Sequence, residues 1–275
     1  MMDSKIKVSV VIGSYNRRRF LEPTIESVRS EIENIPHEII VVDGGSDDGA
    51  LSWLVKQKDI VTIVQHNRGR WKGKPVERKS WGYFMNLGFK AAKGKYICML
   101  SDDCLVVPGA IKNEIKVFER ELKKKRKIGA AAFYWRNWPE QKDYWVGLTF
   151  GNTVFVNHGL YLKKALEEIG YADEDSYQFY HADGDICMRM QKDGYACVDS
   201  PESFIEHYSH ANLKVRRSNL SAQKKDWEVY KERWGRLGIP KEDWIIRRFD
   251  DPTKTAEKYW GGLGWSPRLR RGLGR

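Results

Sequence analysis

Two adjacent carboxylates, Asp102 and Asp103, follow the short apolar run Tyr96-Ile97-Cys98-Met99-Leu100. Neighbouring acids repel one another and cost stability unless a cation or hydrogen-bond donors hold them. Hard carboxylate oxygens suit Mg2+ or Mn2+, which bind through one or two carboxylates together with substrate phosphates. A metal there would offset the charge that builds on a diphosphate leaving group. The competing reading is local: Asp103 stands shortly before Pro108 and could cap a turn. A second acidic pair, Asp183 and Asp185, opens a helical stretch closed by Gly194. Negative charge there also complements a helix N-terminus. The polar loop 66–79 carries Arg68, Arg70, Lys72, Lys74 and Arg78, whose cations could meet a diphosphate. Arg78 is the candidate, and a solvated loop is the reading for the others. Residues 69–74 look superficially like a phosphate loop, but the spacing is short and Pro75 replaces the metal-binding hydroxyl.

Positioning these groups requires strand ends. Apolar or β-branched runs predict strands at 7–12, 38–42, 60–64 and 96–100. Between them, Phe20, Leu21, Ile25, Val28 and Ile32 recur at helical spacing. Ser46 suits the N-cap of a helix carrying Leu51, Trp53, Leu54 and Val55. Further helices are expected at 82–92 and from Pro108 to the basic run 123–127. Such alternation means a parallel sheet with helices on both faces, binding ligands beyond the carboxyl ends of its strands. The segments after Ile12, Val42 and Leu100 are such ends, and together they make a nucleotide-sized site. Beyond residue 128 the pattern predicts strands at 129–135 and 148–156 and helices at 160–169 and 183–192. The tail from Leu220 is helical in places and rich in Trp.

Four ordered segments then carry a resemblance. Val8-Ser9-Val10-Val11-Ile12-Gly13-Ser14-Tyr15-Asn16-Arg17-Arg18, Val41-Val42-Asp43-Gly44-Gly45-Ser46-Asp47-Asp48-Gly49, the stretch 86–97 and Ser101-Asp102-Asp103 are similar to motifs of the inverting family 2 glycosyltransferases of GT-A fold. The resemblance covers roughly residues 7–210. It implies an α/β fold: a GT-A type, Rossmann-like, mostly parallel sheet flanked by helices, followed by a helical basic C-terminal extension. The charge balance shifts near residue 212, so the expected domains are 1–212, with a nucleotide-binding half to about 106 and an acceptor half from about 107, and a basic, Trp-rich extension 213–275.

The resemblance also implies roles. Asp103 would ligate Mn2+ or Mg2+, and Asp102 would touch the ribose or a water on the metal. Ser14, Tyr15 and Asn16 would pack on and hydrogen-bond the nucleoside, although Asn and Ser also favour ordinary turns. Asp43 would accept from a base imide, with a turn role as its alternative. The segment His181-Ala182-Asp183-Gly184-Asp185-Ile186-Cys187-Met188-Arg189 is similar to the family's acidic helix start. It implies Asp183 as the general base that takes the acceptor's proton. Asp185 would orient the loop on the acceptor side, paired with Arg189 four residues on. His207, with His210 second, would complete the metal site or contact the diphosphate. Trp135, Trp138, Trp145, Tyr134 and Tyr144 fall on the family's acceptor side, Trp135 and Trp138 foremost, with core packing claiming several. The sequence departs from the pattern at Ser101, at Gly13 where many relatives have Pro, at Gly44 where some have a second acid, and at Ala182 where Glu is usual.

Composition sets the surroundings. The chain has 275 residues, 41% of them hydrophobic and 31% charged, and a net charge of +11. No apolar run approaches the ~20 residues of a spanning helix, and the polar start lacks a signal core. The expected place is the cytoplasm, peripheral on the inner face of a membrane. Cys98, Cys104, Cys187 and Cys197 lack zinc-type spacing and read as reduced thiols. Residues 211–275 hold 17 Lys/Arg against 8 Asp/Glu. Trp260, Trp265, Leu269 and Leu273 among Arg268, Arg270, Arg271 and Arg275 suit an anionic membrane surface; a solvated helical face is the alternative. No nucleic-acid partner is expected. The function implied is transfer of a sugar from a nucleotide-diphosphate sugar to a hydroxyl of a glycan or lipid-linked acceptor. A nucleotidyltransferase of similar fold would want a Gly-rich phosphate loop, which Gly13-Ser14-Tyr15-Asn16 does not supply. A non-catalytic nucleotide-sugar-binding module would be favoured by loss of Asp183, which is present.

Overall fold

The computed structural model describes residues 6–208 and 213–263, with the side chains of 213–218 and 263 outside the description. The first half runs β1 (Val8–Ser14), α1 (Arg18–Ile32), β2 (His37–Asp43), α2 (Ala50–Leu54), β3 (Ile60–Val64), a small hairpin of β4 (Arg70–Trp71) and β5 (Lys74–Pro75), α3 (Trp81–Ala91), β6 (Tyr96–Ser101), β7 (Cys104–Val106) and α4 (Ala110–Lys123). The second half runs β8 (Ile128–Asn137), β9 (Tyr144–Thr149), β10 (Thr153–Phe155), β11 (Gly159–Leu162), α5 (Lys163–Glu168), α6 (Ala182–Lys192), β12 (Ala196–His207), α7 (Leu213–Trp234), β13 (Trp244–Arg247) and α8 (Thr255–Trp260).

The main sheet has the order β10-β9-β8-β11-β6-β1-β2-β3, with β12 on β8 and β7, and β13 on β9. The strands β3, β2, β1 and β6 are parallel, and the β-branched residues of β1 and β2 are buried on both faces. One face packs on α1 and α4 through residues such as Val10, Ile12, Leu21, Ile25 and Phe118. The other packs on α3, α5 and α6 through Val11, Phe89, Leu166 and Ile186. Gly88 lets α3 lie close on the sheet: a Cβ there would meet Val11 Cγ1 at 2.5 Å. The parallel half ends at β6. Strand β11 lies antiparallel between β6 and β8, so the sheet is mixed.

Three local expectations change. Ser46 does not cap α2, whose N-cap is Gly49 in the left-handed region; the Ser46 hydroxyl is drawn instead to Asp43 and to the Asn16 amide. Residues 148–156 are not one strand: Gly151 and Asn152 take positive φ and turn β9 back into β10. Residues 160–162 are strand, not helix, because pairing to β6 and β8 outweighs the local pattern.

The segment after 212 joins this framework. Strand β13 extends the main sheet at β9. Helix α7 packs Tyr230 and Trp234 against Phe150, Tyr177 and Met188. Trp260, read from the sequence as interfacial, is 1% exposed and packs with Leu105, Ala256 and Trp138. His210, Trp265, Arg268, Leu269, Arg270, Arg271, Leu273 and Arg275 lie outside the described residues. Among the described residues no helix is long and apolar enough to cross a membrane.

Candidate active site

The carboxyl ends of β1, β2 and β6 open onto a cavity of about 530 Å3, within the ~300–1,000 Å3 of small-molecule sites. Ser14, Tyr15, Arg78, Asp102, His207 and Asp183 all line it, joining segments spread over most of the chain.

Asp102 and Asp103 sit in the tight turn between β6 and β7, 3% and 5% exposed. The Ser14 hydroxyl donates to Asp102 Oδ2 at 2.8 Å. One guanidinium nitrogen of Arg17 donates to Asp102 Oδ1 and to Asp103 Oδ2, each at 2.8 Å. Burial pushes Asp102 above the usual carboxylate range, Arg17 opposes that shift, and the charge of Asp103 adds to it. Burial disfavours the charge of Arg17, but the two carboxylates outweigh it and hold the guanidinium firmly protonated. Arg17 was not singled out from the sequence; its place directly after the Tyr15-Asn16 turn was the available signal.

On the far side of the pair, β12 pairs with β7 so that His207 lies opposite Cys104. His207 Nε2 is 3.6 Å from Asp103 Oδ1, and its Nδ1 is 2.7 Å from Asn137 Oδ1. That second contact fixes the ring, as partners behind a metal-binding His do. Asp103, Cys104 and His207 bring their ligand atoms within 4.8 Å of one another. Burial pushes the Cys104 thiol well up, which leaves Asp103 and His207 as the donors suited to a hard cation. His158 stands behind them, 3.0 Å from Ser101 Oγ, and burial brings it down to about 3, so it is neutral.

The nucleoside side is only partly as expected. Ser14 and Tyr15 face the cavity. Asn16 does not line it; its Oδ1 accepts from the Asp47 amide at 2.8 Å and ties the β1 and β2 turns together. Asp43 is fully buried and its carboxylate is taken up by its own turn, accepting from the Gly45 and Ser46 amides and the Ser46 hydroxyl. Asp43 thus serves its turn, and it does not line the cavity. Gly44 fits the same packing, because a Cβ there would lie 3.1 Å from the Tyr15 ring.

Two arginines converge beside Tyr15. Arg68 and Arg78 donate to one acceptor, Asn219 Oδ1 on α7, at 2.6 and 2.7 Å. Burial, then repulsion from Arg78, brings Arg68 down to about 10, still cationic at neutral pH. Arg68 also lies over the Tyr15 ring, 5.6 Å from its centroid. Asn219 was not singled out from the sequence, and Arg68, read there as part of a solvated loop, lines the cavity with it.

The opposite wall carries Asp183 in the first turn of α6. Burial pushes it up to about 6, against a hydrogen bond from the Gly184 amide. Asp185 points the other way. It is 0% exposed and binds Arg189, Arg233, Tyr177 and Trp234, so it organises the α6–α7 interface and is removed from the acceptor side. The Arg189 pairing expected from the sequence is present, at 2.6 Å. Trp135 lines the cavity. Trp138 does not; it packs on Tyr208 and Trp260 and is likewise removed. Tyr134 and Tyr144 are fully buried and bond Asp199 and Glu206, as the core alternative has it.

Residues 9–125 match the family model "Glycosyl transferase family 2". Over those residues the chain is similar to family 2 glycosyltransferases. The chain is 31% identical over 157 residues to UDP-Glc:alpha-D-GlcNAc-diphosphoundecaprenol beta-1,3-glucosyltransferase WfaP of Escherichia coli, covering 57% of this chain and 55% of that one. It is 26% identical over 290 residues to the uncharacterized glycosyltransferase YwdF of Bacillus subtilis, covering 97% and 100% of the two chains. The mannosyltransferase PcManGT of Pyrobaculum calidifontis, solved with GDP-Man and Mn2+, superposes with a TM-score of 0.59 at 16% identity, covering 82% and 64%. That likeness shows the GT-A fold. The chain spans only 10% to 55% of the length of several curated relatives it matches. These likenesses favour neither the nucleotidyltransferase nor the non-catalytic reading.

Proposed function

We propose that this chain transfers a sugar, with inversion, from a nucleotide-diphosphate sugar to a hydroxyl of a glycan or lipid-linked acceptor. The observation that carries the reading is one cavity with a buried acidic turn on one wall and a half-buried carboxylate, Asp183, on another. A raised pKa near 6 leaves Asp183 ionised at neutral pH yet more basic than an exposed carboxylate, which suits a general base.

Asp103 and His207 fit a divalent cation such as Mn2+ or Mg2+, with Asp102 beside them. Bound there, the ion supplies charge to stabilise a diphosphate leaving group. Ser14 and Arg17 hold Asp102 in place, and Arg17 keeps the carboxylate pair tolerable inside the protein. Tyr15 offers a flat face to the nucleoside. Arg78 and Arg68 place cationic charge on the same side, where a diphosphate would lie. Trp135 faces the acceptor. The relatives' names support this assignment: one specifies a UDP-Glc donor and a lipid-diphosphate-linked GlcNAc, and a protein of similar fold was solved with GDP-Man and Mn2+.

The test is a panel of nucleotide sugars assayed for turnover with and without Mn2+. Metal-dependent consumption of one donor that is lost in Asp183→Asn supports the reading; no consumption of any donor overturns it. The positive charge after residue 211 suits an anionic membrane face. Failure to co-sediment with phosphatidylglycerol vesicles would remove that part.

A further inference from the structure

An aromatic surface runs out of the cavity on one face of the second-half strands. Residue registers put it there. Trp135 on β8 and Ile246 on β13 both stand opposite Trp145 on β9, while Phe155 on β10 and Trp244 on β13 both stand opposite Gly147. Side chains two apart on β9, and their cross-strand partners, share a face. All six positions therefore look the same way.

The rings touch. Trp145 and Trp244 lie 5.2 Å apart between centroids, and Trp135 is 6.2 Å from each. Gly147 provides the space: a Cβ there would stand 3.2 Å from Phe155 and 3.3 Å from Trp244. Phe155 and Trp135 line the cavity, and Phe155 lies against Gly184, next to the candidate base Asp183. At the other end Trp244 is 38% exposed and Ile246 62%. Large aromatic and aliphatic groups left this open, in a row continuous with a polar cavity, form a patch of the kind that marks a binding site.

We propose that this face is the acceptor's sugar-binding platform, and that Trp244, supplied by the segment after residue 212, is its outer specificity-determining residue. The inference rests on the glycosyl-transfer reading above. The occupant is a pyranose chain. Sugar rings present C–H faces to an indole and hydroxyls to solvent, which suits half-exposed rings at tilted orientations. Continuity with the cavity brings the terminal sugar beside Asp183, where its hydroxyl would lose a proton, and leaves the preceding sugar over Trp145 and Trp244.

A printed glycan array finds a ligand, and 19F NMR of the protein labelled with 5-fluorotryptophan then locates it. The expected result is a bound oligosaccharide that shifts the Trp135, Trp145 and Trp244 signals, with affinity about tenfold weaker in Trp244→Ala and largely kept in Trp244→Phe. An array with no bound glycan, or a bound one whose affinity Trp244→Ala leaves unchanged, overturns the proposal. So does a Trp244 signal that moves only with phosphatidylglycerol vesicles, which assigns the face to lipid. Nucleotide-sugar consumption, measured in parallel, separates the two readings. Consumption with an unaffected Trp244→Ala removes the platform alone. Glycan binding lost in Trp244→Ala, without any consumption, removes the transfer reaction alone.

Discussion

The two walls of the cavity hold their groups by different means. The donor-side wall is a charge network at parallel strand ends: Ser14 and Arg17 at the end of β1 grip Asp102 and Asp103 at the end of β6, with every contact at 2.8 Å. The acceptor-side wall is aromatic, and it is fastened from behind by a helix far along the chain. Asp226 on α7 accepts the amides of Gln178, Phe179 and Tyr180, at 2.9, 2.8 and 2.8 Å, and Arg233 and Trp234 hold Asp185 below Asp183. The carboxylates proposed to meet a cation sit at the end of β6, beside the buried parallel strand β1. The surface proposed to accept a partner lies on β9, β10 and β13, where side chains from distant segments meet.

Substitutions on the two walls should separate along this line. Asp183→Asn keeps the size of the side chain but removes the base, so turnover falls by about 10^3-fold while donor binding persists. A loss of donor binding would place Asp183 on the donor side. Asp103→Ala strikes the other wall: metal affinity, read by Mn2+ titration of donor consumption, falls by roughly a hundredfold. Asp226→Ala leaves three partly buried amides without their acceptor, and urea melts should show about 1–2 kcal/mol of lost stability. Donor contacts of Tyr15 should survive in the folded fraction; their loss would mean that the walls are not independent. The smallest effect is in pH. Asp183 must be ionised to accept a proton, and its pKa is raised to about 6. The rate of the chemical step should therefore fall about tenfold per unit below pH 6 and level off above it. A plateau that extends well below pH 6 would argue for a different base.

The donor half was largely legible from the sequence because its signals are local. A β-branched run, a turn and an amphipathic helix each fit within about twenty residues, and Ser14, Tyr15, Asp102 and Asp103 fall at strand ends by that pattern alone. What escaped was non-local. Arg17 could not be seen as the partner of the acidic pair before β1 and β6 were neighbours. Asp43 offered a carboxylate at a strand end, but whether its turn would use it up depended on the fold of residues 44–46. Trp138 and Trp135 looked equivalent, but Trp135 on β8 faces the cavity, whereas Trp138, just past the end of that strand, packs on Trp260 of α8. Strand β11 and Trp244 depend on pairing between distant segments, to which local periodicity is blind. His207 was found by order along the chain, and its ring orientation by Asn137 was not.

Asn219 has a consequence for how the molecule opens. Its one amide oxygen, 5% exposed as a residue, binds arginines from the donor half, while the next turns of the same helix bind the acceptor half through Asp226, Tyr230 and Arg233. A helix clasped from both sides cannot fray from one without loosening its hold on the other. The amides of its buried turns should therefore exchange with solvent deuterium as slowly as those of β1 and β6, so that a segment near the chain's end belongs kinetically to its core.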